Sequence, residues 1–382
     1  MSTISLLPSG NAASVATRAR TMISMSPAGR LALLFLLGPG FAWADTFCAE
    51  SGAELQAALT AAQSNGESDT IRVKTGTHAR PGGSIAFSYA TDESFALTIE
   101  GGYGAGCGRK FDRARLTVLS GGGTQQVMKL YSDANETGAI KVSNLSIRDG
   151  ESAGEGAGLS IGGPTNVLFP PFLGAVTVER VIFAFNDSDV RAGGLSIHTR
   201  GNIIVRGNAF MFNRCAEDYC ALAVTGQGIA ADRVQVYFGG NTIAANTCAL
   251  GAPSCDSGGA GFFLFQNLVV YDNVFGFNTG VDLSMQTPGV AADLYYNNIT
   301  TMQGQPASEV GTLAVANPLF VDVLGEDFHL QPGSPMRNEG YAPFALPAID
   351  LDGRQRIVES APDLGAYEFQ EFLFEDGFEF VE

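Results

Sequence analysis

Phe183-Ala-Phe-Asn186, Phe210-Met-Phe-Asn213, Ile243-Ala-Ala-Asn246 and Phe275-Gly-Phe-Asn278 are four versions of one phrase. Each places an apolar anchor three residues ahead of an asparagine, and the asparagines follow one another at steps of 27, 33 and 32 residues. Three of the units carry a second asparagine two residues before the anchor: Asn208, Asn241 and Asn273. A glycine-led phrase alternates with them: Gly156-Ala-Gly-Leu-Ser-Ile161, Gly193-Gly-Leu-Ser-Ile197 and Gly259-Ala-Gly-Phe-Phe-Leu-Phe265. Self-similarity at this period predicts a solenoid, in which each repeat buries its apolar face only against its neighbours. The apolar residues alternate, as in Ala175-Val-Thr-Val178, and show no helical period. The predicted fold is therefore all-β: a right-handed, single-stranded parallel β-helix. Phe183, Phe210, Ile243 and Phe275 are expected to form an inward column. The asparagines are expected to form an amide ladder from coil to coil at a sharp corner whose left-handed backbone asparagine tolerates.

Outward from this centre, the chain divides into five stretches. Residues 1–44 read as a signal peptide: Arg30 precedes Leu31-Ala-Leu-Leu-Phe-Leu-Leu37, and Ala42-Trp-Ala44 supplies an A-x-A site, so the cut is expected between Ala44 and Asp45. Residues 45–120 form an N-terminal cap and the first coils. Gly52–Ala62 carries apolar residues at Leu55, Ala58, Leu59 and Ala62, the spacing of an amphipathic helix. A helix there would cover the exposed core and strand edges at the open end of the solenoid. Residues 121–320 hold the β-helix itself, at roughly 22–25 residues per coil and about 4.8 Å per coil. Residues 321–370 are expected to close the other end. Residues 371–382, rich in Phe and Glu with a turn at Asp376-Gly377, form a tail that is expected to be a sorting signal or an edge strand.

The 382-residue chain carries a formal charge of −17, with 16% charged and 45% apolar residues. The leader contains three arginines and no acid, so its removal leaves the chain three units more negative. Nucleic acid is bound by basic surfaces and is not an expected partner. The apolar run of the leader is shorter than the ~20 residues of a membrane span, and no transmembrane helix is expected in the mature chain. Six cysteines in an exported chain predict disulfides. Cys215 with Cys220 and Cys248 with Cys255 read as loop staples, leaving Cys48 and Cys107 to close the N-terminal region. Zinc is the alternative, but no histidine lies near these cysteines in sequence and the spacings are not those of structural zinc sites.

The beginning and end of the β-helix carry further motifs. Ala53-Glu-Leu-Gln-Ala-Ala-Leu59, Asp69-Thr-Ile-Arg-Val73 and Leu97-Thr-Ile-Glu-Gly-Gly-Tyr-Gly104 lie at one end. At the other lie Asn317-Pro-Leu-Phe-Val-Asp322, Asp327-Phe-His-Leu-Gln-Pro-Gly-Ser-Pro335, Asp350-Leu-Asp-Gly-Arg354 and Pro362-Asp-Leu-Gly-Ala-Tyr-Glu368. Together these resemble bacterial exported β-helix proteins of the choice-of-anchor Q type, and the central repeats are similar to passengers of polymorphic outer-membrane proteins. Ser334-Pro-Met-Arg-Asn-Glu-Gly340 departs from that group's usual S-P-A-I-D-A-G. The resemblance implies export and a pectin-lyase-like solenoid, and no single activity.

Parallel β-helices also host polysaccharide lyases and hydrolases, so catalysis must be weighed. A hydrolase needs two carboxylates across a cleft, one of them protonated. A lyase needs a base beside a carboxylate, with calcium as a usual helper. The candidate catalytic groups are Arg148, Asp149, Asp187, Asp189 and Arg191. All fall in turns, where Asp is expected on conformational grounds alone. The N-T-D, D-D, G-H-G and R-I-K pattern of polygalacturonases is absent. His198 is placed at a coil corner, and His78 and His329 in the end regions. Asp350-Leu-Asp-Gly353 resembles the start of a calcium loop, but the later ligands are missing and a structural turn is expected. No metal ligand set, cofactor or binding residue is assigned. The leading expectation is a secreted or cell-surface, non-catalytic protein acting in adhesion or carbohydrate binding, with an extracellular glycan or cell-surface component as partner. The alternative is a lyase or hydrolase of an acidic polysaccharide.

Overall fold

The computed structural model describes residues 45–132, 138–163, 172–226, 234–252, 255–286, 291–341 and 346–370. The stretch expected to be a signal peptide, with its expected cut at Ala44, and the 371–382 tail therefore lie outside the described residues. The rest is nearly all β, and the coil strands pair in parallel. Ten strands follow one another across the principal sheet, from Asp45–Ala49 to Ser308–Val310. Eight strands, from Ile85–Thr91 to Met302–Gln303, make a second sheet, and four two-residue strands make a narrow third one. Stacked in this way, the coils form a parallel β-helix.

The repeat phrase sets the register. Phe183 pairs with Phe210, Phe210 with Ile243, and Ile243 with Phe275. All four are fully buried. Phe183 and Phe210 stack with centroids 4.8 Å apart. Ile243 interrupts the rings, and Phe275 packs at a tilt on Phe238 instead. The inward column is as expected.

Two asparagine ladders run beside it. Asn186, Asn213, Asn246 and Asn278 form the first, with Nδ2 donating to the next Oδ1 at 2.9, 2.9 and 3.0 Å. Asn208, Asn241, Asn273 and Asn297 form the second, at 3.0, 2.9 and 2.9 Å. Each inner member also donates to a carbonyl of the preceding coil, as Asn213 does to Phe183 O at 3.0 Å. Its Oδ1 accepts in addition the backbone N–H of the asparagine before it, 3.3 Å from Asn186 N to Asn213. Two donors and two acceptor sites are thus all used, and a fully buried amide carries no unmet demand. Asn297 is a ladder member that the phrase alone does not mark.

The corner itself differs from expectation. The left-handed residue is the one before each asparagine: Phe185, Phe212, Ala245 and Phe277, with φ of 55°, 53°, 56° and 59°. At the second corner it is Arg180, Gly207, Gly240, Asp272 and Tyr296. The ladder hydrogen bonds of the asparagine fix its own conformation, and the strain of the turn falls on its neighbour.

The N-terminal helix, Gly52–Ala61, starts at Ser51, whose hydroxyl caps Glu54 N. Leu55, Ala58 and Leu59 enter the core. Gln56 lies against Ile85–Thr91, the last strand of the second sheet: its amide donates to Ser88 O and accepts from Ser88 N, both at 2.8 Å. One side chain thus substitutes for a pairing strand at the edge.

The described residues of 318–341 and 346–370 lie along the flank of the rod rather than across its end. Phe320, Phe328, Leu330, Met336, Leu351, Leu364 and Ala366 cover the outward residues Ala184, Ala209, Met211, Ala244 and Val274 of the coils. Backbone bonds fasten this flank at Ala114 N to Leu351 O, 3.1 Å, and at Gly365 N to Asp272 O, 2.8 Å. It therefore reaches from the third coil to the eighth. Outward positions occupied by Ala, Met and Val have no affinity for water, and covering them is what a closing segment gains by lying lengthwise.

Cys48 is bonded to Cys107, Cys215 to Cys220 and Cys248 to Cys255, and no cysteine is free. The sulfurs of Cys215, Cys220 and Cys255 lie close together, but bonded pairwise they are not thiolate ligands. No helix among the described residues is long and apolar enough to cross a membrane.

Candidate functional site

The narrow third sheet carries a shallow groove parallel to the rod axis. Its strands are paired so that Glu151, Asp187, Arg214 and Thr247 form one row. The left-handed corner residues Phe185, Phe212, Ala245 and Phe277 form a second row beside it. Phe185 and Phe212 stack at 5.1 Å and 8°, and both Phe185 and Phe277 are exposed. Such aromatic exposure is imposed by the fold: the preceding residue must face outward and the following asparagine inward, which leaves the corner side chain projecting from the edge. Arg214 grips Asp187 through Nε, at 2.8 Å, and through Nη2. A cavity of about 360 Å³ opens between the rows, lined by Phe185, Asn186, Asp187, Phe212, Arg214, Ala245 and Thr247.

The five candidates from the sequence do not converge. Asp187 belongs to this groove and is tied to Arg214. Arg148 lies at its head, with its guanidinium 5.2 Å from the Phe185 ring centroid, 3.2 Å from Asp149 and 3.6 Å from Glu326. Asp189 is exposed, and its backbone N–H donates to Ser152 O at 2.9 Å. Arg191 points to the second sheet, where its Nε meets Glu155 at 2.6 Å. Within the five, only the neighbours Arg148 and Asp149 form a pair among the described ion pairs.

The Arg191 side holds a second cluster, which the sequence did not flag as a group. Glu155 Oε2 lies 2.9 Å from His198 Nε2, and Ser196 Oγ lies 3.0 Å from the same nitrogen. Burial works to raise the Glu155 carboxyl, but His198 and Arg191 outweigh it and bring it down to about 2. Serine, histidine and glutamate are the components of a hydrolytic triad, but the geometry is wrong for one. A relay needs the serine on one ring nitrogen and the carboxylate on the other. Here both crowd Nε2, so the histidine cannot accept the serine proton there while being oriented by the carboxylate from behind.

No family model matches the chain, and the comparisons with curated proteins and with solved structures find no match.

The remaining histidines are structural. His78 Nε2 meets Lys74 O at 2.7 Å inside the N-terminal coils. His329 is held between Asp327, 2.6 Å from Nδ1, and Asp352, 2.9 Å from Nε2, under the flank. Burial works to lower it, but these two hydrogen bonds leave the imidazole raised above its ordinary value. Asp350 of the D-x-D-G fragment accepts N–H bonds from Asp352, Arg354 and Glu368, which makes it the centre of a turn.

Carboxyls kept protonated near neutrality do occur, but away from the groove. Burial pushes Asp272 and Glu368 each up to about 7. Asp272 is buried beneath the flank and Glu368 within it, so neither is open to substrate. The groove pairs aromatic rings with a fixed ion pair, an arrangement suited to holding a ring with polar substituents.

Proposed function

We propose that this protein is an exported, non-catalytic β-helix that binds extracellular carbohydrate along the groove of its third sheet. The observation that carries the reading is the juxtaposition of the aromatic corner row with the Asp187–Arg214 row. Sugars present hydroxyls around an apolar ring, and this groove offers acceptors and donors on one wall and aromatic carbon on the other. The Asn ladder beneath holds both rows rigid, so little conformational freedom is lost on binding. Three disulfides suit an oxidising compartment. They support export together with the leader pattern and the likeness of the terminal motifs to choice-of-anchor Q proteins. Binding is favoured over lyase or hydrolase chemistry because Asp187 is committed to Arg214 and the raised carboxyls are sealed under the flank.

Adsorption of the purified protein to insoluble cell-wall polysaccharide tests this. Retention is expected, with Arg214→Ala several-fold weaker, and no reducing or unsaturated ends should be released. Release of such ends, abolished by Asp187→Asn, would replace the binding reading with the enzymatic one.

A further inference from the structure

The aromatic corner row has a gap. It reads Phe185, Phe212, Ala245, Phe277, one residue per coil and all with the same left-handed backbone. Phe185 and Phe212 stack face to face. At the next coil the side chain stops at Cβ, and the cavity of about 360 Å³, which runs beside Phe185 and Phe212, reaches Ala245 there. On the flank side Phe328 meets Phe212 edge-on at 5.8 Å, and Phe320 meets Phe277 at 6.3 Å. The flank thus touches the row at Phe212 and Phe277, while Arg214 and Thr247 line the cavity beside Ala245.

We propose that the gap at Ala245 receives one pyranose ring of a neutral glycan. This rests on the reading of the groove as a carbohydrate site. The coil repeat is about 4.8 Å, so a ring seated over Ala245 stacks on Phe212 much as Phe185 does on the other side. A pyranose presents C–H groups on its face, which match the negative face of an aromatic ring. The volume is at the low end of the roughly 300–1,000 Å³ of small-ligand sites, enough for one sugar unit with its neighbours lying along the groove. Charge selects the class. Arg214 is already neutralised by Asp187 at 2.8 Å, with Glu151 next in the row, and the whole chain carries −17. A uronate would meet no uncompensated cation and a repulsive field. Hydroxyls can use the N–H donors of Arg214 and the acceptors of Asp187 without disturbing the pair.

The test is isothermal titration of the full exported chain with neutral glucose, mannose and galactose oligomers, an oligogalacturonate, and a tyrosine-containing peptide. Ala245→Phe completes the stack, and its backbone strain is already tolerated at three equivalent corners. One neutral oligomer is expected to bind, and Ala245→Phe should weaken it at least tenfold while leaving the melting temperature unchanged or raised. Ala245→Met serves the same purpose if the phenylalanine variant does not fold. Neutral-oligomer binding that survives both variants overturns the slot but leaves the groove reading standing. Failure of the unaltered protein to bind any of these ligands overturns both. Binding of the oligogalacturonate or the peptide alone, lost in Ala245→Phe, keeps the slot and overturns the neutral sugar.

Discussion

The central coils and the C-terminal flank both bury polar groups, and they satisfy them in opposite ways. In the coils, eight asparagines bond to copies of themselves in two ladders. The groups are neutral, every inner member repeats the same geometry, and its desolvation is matched by at least four hydrogen bonds. In the flank and just beneath it, the buried Asp272, Asp350, Asp352, Asp363, Glu368 and Arg356 and the half-buried His329 make unlike, unrepeated contacts. Arg356 Nη1 is 3.8 Å from Glu368, and neither it nor Asp272 Oδ2 has a hydrogen-bond partner. Translational repetition makes polar burial inexpensive, because a solution that works once works at every coil. A segment docked once must assemble its own charge balance, and there the balance depends on pH.

The largest effect should come from breaking the repeat. Phe210→Ala removes a fully buried ring between Phe183 and Ile243 and should lower stability by ~3–5 kcal/mol in reversible denaturation. A loss under ~1 kcal/mol would mean that the column is not core.

Asn213→Ala interrupts the first ladder at its middle. It removes the acceptor of Asn186 Nδ2 and the side-chain donor to Asn246 Oδ1 and Phe183 O in a dry interior. At ~1–3 kcal/mol per unmet buried group, partly relieved by relaxation, a total loss of ~2–4 kcal/mol is expected. The same change at the exposed Asn317 should have almost none, and equal losses would remove the distinction between ladder and surface.

A smaller, pH-dependent effect should mark the flank. Asp272 and Glu368 have folded values raised to about 7 by burial, so their contribution is full below the ordinary carboxylate range and lost as pH rises through about 7. His329 is raised too, and its contribution is likewise lost as pH rises. All three weaken the flank in the same direction. Hydrogen exchange in residues 346–370 should quicken by about tenfold between pH 5.5 and 8.5, or ~1.4 kcal/mol, beyond the intrinsic rate change. The coils 176–211 should not follow. Asp272→Asn should reduce the difference, and a flank indifferent to pH would show that these groups are paired in some other way.

The same contrast decides what could be read from sequence. The inward column and both ladders are legible because each coil restates them, and pairing in register turns a recurrent phrase into a contact. The corner was misplaced by one residue. Asparagine is the residue whose conformational tolerance suggests a left-handed turn, whereas its amide is used here for the ladder and Phe185, Phe212 and Phe277 take the turn. Docking of the flank was not legible, since its contacts join distant, unrepeated segments such as Ala366 N and Thr242 Oγ1, 124 residues apart. One signal was nevertheless present. The outward positions Ala184, Ala209, Met211 and Ala244 are apolar where an exposed strand would be polar, and alternation broken in four places announces a cover. In the groove, the sequence singles out Asp187 and not Arg214, although both hold the same place in successive repeats. Aligning the repeats would have paired them. Ser196 and His198 lie two residues apart on one strand, and Glu155 joins them only through the stacking of the adjacent coil.

The lengthwise course of residues 318–370 also has a mechanical consequence. Hydrogen bonds between coils run along the rod, so tension applied at its two ends would open them one coil at a time, like a peeled tape. The flank crosses that series. It is fastened near Ala114 by Leu351 and near Asp272 by Gly365, with the intervening coils packed beneath it. Parting any coil between those points requires sliding the flank over its apolar bed, so many contacts must yield together. The rod is in this way reinforced in shear over its middle coils, and its yield points are displaced toward the stretches beyond the two fastenings.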